Sequence, residues 1–311
     1  MNAIQRIFKN TAVLLISYIL SYGFAFLYTI YSARYLGVEN FGILSFALAF
    51  TGIIGIFSDL GLNALVTREI ARDKSIIKEY IGNILTIKLI LSIITFVLIV
   101  LLVNLLDYSN ETIYVVYLLA LFTLFGNLSM LFYSIFQAFE EMEYQSIGQI
   151  LNSLLILIGI IIGMMYGFDL LKFALIYFAV GLIVLVYAYS TFTWKFFLPK
   201  IKFNPDLSRI IIKSALPLSL TFIFSLVYFK IDSIILSLIQ GNETVGIYAA
   251  SYNVMTALTF IPSVFAVSIY PVLSKFYISS EKSLKVSYQK SFKYLFLISL
   301  PIAMSITFLA N

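Results

Sequence analysis

Long apolar segments, separated by short polar ones, run through the whole chain. A helix needs roughly 20 mostly apolar residues to cross the hydrocarbon core of a bilayer. Nine segments reach this length, and we expect each of them to be a membrane-spanning helix. They cover residues 10–33, 41–66, 81–103, 112–137, 146–166, 170–193, 214–239, 244–270 and 287–309.

The basic residues between these segments indicate an orientation. Arg34 and Lys172 are the only cations in one set of alternating connections, whereas nearly all other Lys and Arg residues lie in the opposite set. Cytoplasmic loops carry an excess of Lys and Arg, so we expect a plasma-membrane protein with a cytoplasmic N-terminus. The connection that contains Glu140, Glu141 and Glu143 departs from this pattern because it lacks a basic residue.

The composition supports a membrane protein and excludes several chemistries. Hydrophobic residues make up 61% of the 311 residues and charged residues 11%, with a mean hydropathy of +1.02. Soluble proteins are about half apolar and about a quarter charged, so we expect an all-α polytopic membrane protein. The chain has no His and no Cys, which excludes His/Cys zinc sites, thiol nucleophiles and His-based triads. The net charge of +5 follows from the loop cations, and we expect no nucleic-acid partner.

An internal repeat relates the two ends of the sequence. A shift of 204 residues places the turn 37–43 on the turn 241–247, with Gly, Glu, Gly and Ile matched in both copies. Because the copies lie six spans apart, they share one orientation, which predicts a pseudo-two-fold axis along the membrane normal, as in parallel-repeat transporters. We expect a six-helix lobe over residues 1–200 and the first three helices of a second, incomplete lobe over 201–311.

Two alternatives to this interpretation stay open. Chance similarity between apolar helices is one explanation of the repeat. A native nine-span protein, instead of a fragment or truncated product, is one explanation of the incomplete second lobe.

Four motifs, in order along the chain, resemble a known family of membrane transporters. They are Arg34-Tyr35-Leu36-Gly37-Val38-Glu39-Asn40-Phe41-Gly42; Asp59-Leu60-Gly61-Leu62; Thr67-Arg68-Glu69-Ile70-Ala71; and Pro217-Leu218 with Ile231-Asp232, Gly246-Ile247-Tyr248 and Pro271. This pattern is similar to the polysaccharide-exporter branch of the multidrug/oligosaccharidyl-lipid/polysaccharide (MOP) superfamily, which contains the Wzx-type flippases. The resemblance implies a MATE-like bundle of two helical lobes that carries a polyprenyl-pyrophosphate- or dolichyl-linked oligosaccharide from the cytoplasmic to the outer leaflet.

Ionisable residues inside the predicted spans are candidate functional groups, because a charge in the bilayer is costly unless it is paired or hydrated. Asp59 and Lys88 lie on consecutive spans, at similar depth, and carry opposite charges. We expect them to form an ion pair that is either structural or involved in coupling.

Lys230 and Asp232 point in different directions, because residues two apart on a helix differ by about 200°. Asp232 shares a weakly polar stripe with Ser225 and Tyr228, and the repeat places Tyr28 at the matching position of the first span. We hypothesise that the two stripes face each other across a central cavity, with polar packing inside each lobe as the alternative. Asp232 would then bind a coupling H⁺ or Na⁺ or accept sugar hydroxyls, whereas Lys230 would contact pyrophosphate if it faces the cavity.

Arg34 lies near the outer end of the first span. It can receive the phosphate during release, or extend to the lipid headgroups. We count Arg34 among the candidate substrate-binding residues. The others are Lys230, Asp232, Ser225, Tyr228 and Tyr28.

Three functions remain to be distinguished. The leading hypothesis is a flippase for lipid-linked oligosaccharides that works by alternating access and without catalytic residues, metal or cofactor. The second is an ion-coupled exporter of small cationic drugs, and the third is a membrane enzyme, which the absence of His and of any sizeable outer loop disfavours. The chain lacks the G-x-x-x-x-G-K-[ST] loop that binds ATP, so a gradient or downstream glycan consumption must drive transport. We expect a monomer that contacts membrane lipid and works beside glycan-assembly proteins.

Overall fold

The computed structural model describes residues 3–256, 258 and 281–309. Every regular element within these residues is helical, and the predicted all-α membrane fold is confirmed. The elements are α1 (Ala3–Gly55), α2 (Leu62–Arg72), α3 (Ile77–Leu105), α4 (Asn110–Ala138), α5 (Met142–Met165), α6 (Leu170–Lys195), α7 (Pro205–Gln240), α8 (helical over 242–256) and α9 (Glu281–Leu309), with 3₁₀ turns at Ile56–Ser58 and Lys74–Ile76.

Six helical stretches in the described part of the chain are long and apolar enough to cross a membrane. They correspond to the first seven predicted spans, the first two of which lie in one stretch. The second half of the eighth predicted span lies almost entirely outside the described residues and the ninth span falls in α9, so the number nine stays a prediction. The six stretches are Lys9–Ser58, Lys74–Leu105, Asn110–Ala138, Met142–Met165, Leu170–Lys195 and Ile223–Gln240.

Helix α1 contains the first predicted span and most of the second, joined through Gly37. A straight helix of 53 residues would be about 80 Å long, far more than the roughly 30 Å of a bilayer core. The helical path is broken at Gly37, whose φ of 75° and ψ of 174° are not helical. Glycine adopts positive φ at little cost, so a single residue replaces the longer connection expected from the sequence.

The second predicted span is interrupted before its end. The sequence predicted one helix over 41–66, but α1 ends at Gly55, and Leu60 and Gly61 both have positive φ. This prediction was wrong, and the break lies where another helix packs closely. A Cβ atom on Gly61 would lie 2.7 Å from the backbone oxygen of Ala215 in α7, so the turn allows α7 to approach closely.

One end of the bundle, which we call the turn end, is formed by short connections. Tyr108 Oη lies 2.7 Å from Ser237 Oγ there, which links the α3–α4 connection to the last turn of α7. The turn end contains Gly37, 106–109, 166–169 and Gly241.

The opposite end, which we call the basic end, is rich in cations. Lys9 contacts Glu143 at 3.1 Å and Lys195 contacts Glu141 at 3.0 Å. These ion pairs explain the acidic connection that departs from the charge pattern of the sequence, because neighbouring helices supply its basic partners. The basic end contains Lys9, 73–76, 139–141 and 196–204.

The chain divides into two compact units, Met1–Asn253 and Val254–Asn311. The first unit contains α1 to α7 and most of α8, and within it α7 packs on α1, α2 and α3. Two apolar clusters fill this unit, one toward each end. Buried members of the first include Phe46, Leu119 and Phe173. Buried members of the second include Leu65, Ile84 and Phe136. The second unit contains α9. The lobe boundary expected near residue 200 stays a prediction.

Candidate functional site

A cavity of about 660 Å³ lies between α1, α2, α4 and α7. We call it the amide cavity, because carboxamide side chains form much of its polar wall. Helix α7 contributes Ser225, Leu226 and Phe229 to the opposite wall. The polar residues of the wall formed by α2, α4 and the turn before α2 are Asp59, Asn63, Thr67, Asn127, Ser134 and Gln137.

A fully buried cation lies behind this wall. Lys88 Nζ donates to Asp59 Oδ1 at 2.7 Å, to Asn63 Oδ1 at 2.9 Å and to the backbone oxygen of Asn127 at 2.8 Å. An ammonium group has three donors, so these bonds use all of them. Lys88 therefore contacts Asp59, as expected from the sequence, and has no proton left to bind a molecule in the cavity.

A second cavity, of about 210 Å³, lies between α1, α7 and α8. We call it the lysine cavity, because Lys230 lines it together with the hydroxyl-bearing side chains of Tyr28, Ser233, Tyr248 and Tyr252. A cation beside several hydroxyl groups is a suitable environment for an anion.

Asp232 lies beside this cavity and is already engaged. Its Oδ2 accepts a short hydrogen bond from Tyr248 Oη, and its Oδ1 accepts one from the backbone nitrogen of Ser233 at 2.8 Å. The first of these bonds fixes the hydroxyl group of Tyr248.

Phe229 lines both the lysine cavity and the amide cavity, so the two cavities share one wall residue.

A third cavity, of about 440 Å³, lies between α1, α4, α5 and α6. We call it the aromatic cavity, because Tyr18, Tyr22, Tyr28, Phe122 and Tyr133 line it. None of the described residues that line it carries a formal charge. It is suited to an apolar or aromatic ligand.

Two turns with matching sequences adopt the same backbone conformation at the turn end. We call residues 37–42 and 241–246 the glycine turns. Gly37 has φ 75° and ψ 174°, and Gly241 has φ 83° and ψ 176°. The chain therefore leaves the preceding helix in the same way in both copies.

The glycine turns also touch each other reciprocally. A Cβ atom on Gly42 would overlap the backbone oxygen of Asn242, and one on Gly246 would overlap the backbone oxygen of Val38. In each contact, the glycine of one turn meets the residue that lies four positions before the equivalent glycine of the other turn. Such reciprocity is the pattern that a local two-fold axis produces.

The charged groups outside the spans have simple environments. Asp73 Oδ1 accepts hydrogen bonds from the hydroxyl and the backbone nitrogen of Ser75, and these bonds lower the pKa of the Asp73 carboxyl. Partial burial raises the pKa of the Tyr108 hydroxyl. Among the described residues, no group of three or more Asp or Glu side chains is placed to hold a metal ion.

The comparison with protein families decides the assignment. The family described as polysaccharide biosynthesis protein matches residues 7–277. The chain belongs to this family. The family is part of the MOP superfamily, so the resemblance seen in the sequence motifs is confirmed.

Solved structures similar to this family member are transporters with the MATE-like fold. An inward-facing MATE family multidrug resistance transporter has a TM-score of 0.69 at 20% identity, and the match covers 92% of this chain and 70% of that one. The MATE transporter DinF-BH, solved with R6G, has a TM-score of 0.65 at 14% identity, with coverages of 96% and 71%. A MOP superfamily transporter from Pyrococcus furiosus Vc1 has a TM-score of 0.61 at 18% identity, with coverages of 97% and 72%.

These similarities confirm the MATE-like fold. In the Pyrococcus furiosus protein, the reverse polarity of the binding pocket suggests a different function. A comparison with curated proteins gives no match. Family and fold together identify this family member as a multi-pass membrane protein of a transporter superfamily.

The residues that the sequence singled out occupy different places in this family member. Tyr28 and Lys230 line the lysine cavity, and Ser225 lines the amide cavity. Tyr228 is 78% exposed and lines none of the three cavities. Arg34 is exposed near the turn end and makes no hydrogen bond with a described residue.

The serines of the two polar stripes line different cavities in this conformation, and the arrangement of the stripes across a central cavity stays a prediction. Ser21 of the first stripe lines the aromatic cavity, whereas Ser225 of the second lines the amide cavity. Asn10 donates to the backbone oxygen of Glu140 at 2.8 Å, and Ser17 is fully buried. Packing among the first six helices therefore accommodates most of the first stripe.

Sequence reasoning missed the carboxamides that surround the ion pair. Asn63 lies four residues after Asp59, and this spacing on one helical face was a usable signal. Asn127 is an uncharged residue in a long apolar helix, and nothing in its local sequence indicates its role. It donates to the backbone oxygen of Gly55 and to Ser58 Oγ at 3.0 and 2.7 Å.

Proposed function

We propose that this protein is a flippase that moves a polyprenyl- or dolichyl-(pyro)phosphate-linked oligosaccharide from the cytoplasmic to the outer leaflet, for polysaccharide biosynthesis. Membership of the polysaccharide biosynthesis family supports the glycan part of the proposal. The MATE-like fold supports transport by alternating access, in which two lobes expose a central site to each side in turn.

The lysine cavity is the observation that carries this proposal. Lys230 lies in the apolar helix α7 and forms no ion pair with a described residue, although an unpaired cation inside a membrane is costly. Tyr28 and Ser233 line the same cavity with their hydroxyl groups, whereas the proton of Tyr248 is donated to Asp232. Charge-assisted hydrogen bonds to phosphate oxygens are strong, and lysine is a common phosphate ligand, so a (pyro)phosphate group suits this cavity.

The charge pattern supports an orientation for transport. With the basic end in the cytoplasm, the N-terminus is cytoplasmic and the turn end faces outward, as the excess of Lys and Arg at the basic end favours. The contact between the glycine turns is then a contact on the outer side of a plasma-membrane protein.

The proposed partners follow from the same chemistry. The substrate is a lipid-linked oligosaccharide, and the transporter works as a monomer among membrane lipids and beside glycan-assembly proteins. A H⁺ or Na⁺ gradient is the proposed energy source. Asp59 and Asp232, the carboxylates within or beside the spans, are the candidate groups for binding the coupling ion.

A flipping assay tests the proposal. The full chain is reconstituted in liposomes with a fluorescent polyprenyl-pyrophosphate-linked oligosaccharide in both leaflets, and a membrane-impermeant quencher reports the fraction accessible over time. We expect the wild-type protein to exchange the lipid and Lys230→Gln to do so at least tenfold more slowly, because one charge-assisted hydrogen bond contributes about 1.5–3 kcal/mol. Lys172→Gln, at an exposed position, is the matched control and should behave as wild type.

If the flipping assay is negative, a second function is the alternative. The uncharged aromatic cavity favours an ion-coupled exporter of small cationic or aromatic drugs. If the wild-type protein leaves the oligosaccharide lipid in its original leaflet but exports a cationic dye along an ion gradient, the flippase proposal is wrong and the exporter is right.

A further inference from the structure

The buried cation orients two side chains of the amide cavity. Lys88 holds Asp59 by Oδ1 and Asn63 by Oδ1, at 2.7 and 2.9 Å. An ammonium group only donates hydrogen bonds, so the atom of Asn63 that it contacts must be the carbonyl oxygen. The amide nitrogen of Asn63 and the second carboxylate oxygen of Asp59 are therefore the atoms that remain available.

Both of these atoms belong to the polar wall of the amide cavity. Neither Asp59 Oδ2 nor Asn63 Nδ2 has a hydrogen-bond partner among the described residues, and both side chains line the amide cavity. Asp59 lies in the turn before α2 and Asn63 in its first turn, and the backbone nitrogen of Asn63 donates to Asp59 Oδ1 at 3.3 Å, so the two side chains lie next to each other. The side chain of Asp59 keeps 20% of its surface exposed, although Lys88 beside it has none.

We propose that Asp59 and Asn63 form a subsite for two neighbouring hydroxyl groups of a sugar. This inference rests on the proposed function and specifies where the glycan of the transported lipid binds. A hydroxyl group has one donor and two acceptor positions. One hydroxyl donates its proton to Asp59 Oδ2, while the adjacent hydroxyl accepts a hydrogen bond from Asn63 Nδ2.

Other ligands fit this pair of atoms less well. A phosphate group would be repelled by the carboxylate of Asp59. A metal cation prefers to be surrounded by oxygen ligands, whereas the atom of Asn63 that remains available is the amide nitrogen, which donates and does not coordinate a cation. A neutral group that both donates and accepts satisfies the two atoms together, and adjacent sugar hydroxyls are such a group.

The position of the subsite suits a glycan attached to a phosphate. Phe229 lines the amide cavity on one side and the lysine cavity on the other. A phosphate near Lys230 and a sugar near Asp59 would thus occupy adjoining cavities that share one wall. The volume of about 660 Å³ lies within the roughly 300–1,000 Å³ that is typical of ligand pockets.

Lys88 is a positioning residue in this arrangement. It does not reach the cavity, because its three protons are used and its side chain is fully buried. Its effect is to fix which atom of each neighbour faces the ligand. Thr67 and Gln137 extend the polar wall beyond the two residues.

Binding measurements with two lipids test the subsite. The full chain in nanodiscs is titrated with polyprenyl pyrophosphate and with the same lipid carrying a glucose disaccharide, and binding is followed by thermophoresis. The variant is Asn63→Asp, which keeps the oxygen that Lys88 holds but replaces the N–H donor with an acceptor. We expect the wild-type protein to bind the sugar-bearing lipid about tenfold more tightly, as one or two net hydrogen bonds provide, and Asn63→Asp to lose this difference while binding the bare lipid normally.

Asn152→Asp is the matched control, because it makes the same chemical change in the aromatic cavity. It should keep the wild-type preference for the sugar-bearing lipid. If Asn152→Asp loses the preference and Asn63→Asp retains it, the glycan binds in the aromatic cavity and the inference is wrong. If the wild-type protein binds both lipids equally, the subsite is wrong but the flippase proposal stands, whereas binding of neither lipid refutes the proposed function and, with it, the subsite.

A labelling experiment avoids any change to the pair itself. Ala64 lines the amide cavity next to Asn63, and the chain has no native Cys, so Ala64→Cys provides a single label site. The sugar-bearing lipid should slow its reaction with a charged thiosulfonate at least fivefold more than the bare lipid does. Equal protection by the two lipids would show that the sugar does not enter this cavity.

Discussion

Replacing Lys88 with methionine tests how much the buried ion pair contributes to stability. Methionine keeps a long, flexible side chain but removes all three hydrogen bonds of the ammonium group. Interhelical hydrogen bonds in membranes average about 0.6 kcal/mol, so three lost bonds account for about 2 kcal/mol. Removing one partner of a buried ion pair costs about 3–5 kcal/mol, because the remaining charge has no partner. Asp59 is 20% exposed in the amide cavity, where water partly compensates, so we expect a loss of about 3 kcal/mol in the free energy of unfolding.

A double variant separates the effect of the charge from that of packing. In Lys88→Met with Asp59→Asn no unpaired charge remains, so we expect the double variant to regain about 1–2 kcal/mol relative to Lys88→Met alone. The assay is steric trapping in bicelles, which reports the free energy of unfolding directly. Lys172→Met is the matched control, because Lys172 pairs with Asp169 at 3.8 Å on the exposed surface and should cost less than about 1 kcal/mol.

Two results would refute this reasoning. One is a loss in Lys88→Met no larger than in Lys172→Met, which would mean that Lys88 is not desolvated. The other is a double variant that is less stable than Lys88→Met by the full cost of the second change, because the two residues would then act independently.

Three further predictions follow from particular contacts. Gly42→Ala should push the glycine turns apart, because its Cβ atom would overlap a backbone oxygen. Cross-linking between cysteines placed in the two turns should then slow at least fivefold. Gly23→Ala, with open space around it, is the control, and equal cross-linking rates in the two variants would contradict the contact. In intact cells Lys172→Cys should react with a membrane-impermeant maleimide, whereas Lys78→Cys should react only after permeabilisation, and the reverse pattern would invert the proposed orientation. Asp73→Ala should lower the melting temperature at neutral pH, because hydrogen bonds to the carboxylate lower the pKa of Asp73 in the folded state. The difference should begin to shrink near the ordinary carboxyl pKa of 3.8 and disappear only below the lowered pKa of the folded state, where protonation removes the contribution. A pH-independent difference would show that the charge is not involved.

The sequence was most informative where one physical requirement dominates. A bilayer demands long apolar helices, and the first seven predicted spans lie in such helices, with errors mainly at their ends. The contact of Asp59 with Lys88 was also predictable, because two opposite charges at one depth in an apolar medium have few other partners. Family membership was readable from short motifs in the correct order.

Features that depend on contact between distant helices were not predictable in this way. The break near Gly61 reflects the close approach of α7 at Ala215, and no local pattern announces that approach. The sequence also does not indicate which cavity each stripe residue lines, and Ser21 and Ser225 line different ones. Helix rotation about its own axis is decided by packing with neighbouring helices, and periodicity gives only the relative angle between residues of one helix.

The structural and functional interpretations of the buried ion pair are not alternatives. The turn before α2 forces Leu60 to a φ of 46°, a conformation that costs about 1–2 kcal/mol for a residue with a side chain. It also removes helical hydrogen bonds, and a broken helix is tolerated in a membrane only where other groups replace them or where the backbone lines a cavity. Asn127 supplies the replacement at the backbone oxygen of Gly55, and its own backbone oxygen accepts from Lys88. The network that stabilises the break is therefore the same network that turns Asp59 and Asn63 toward the cavity, so a change that loosens one must also disturb the other.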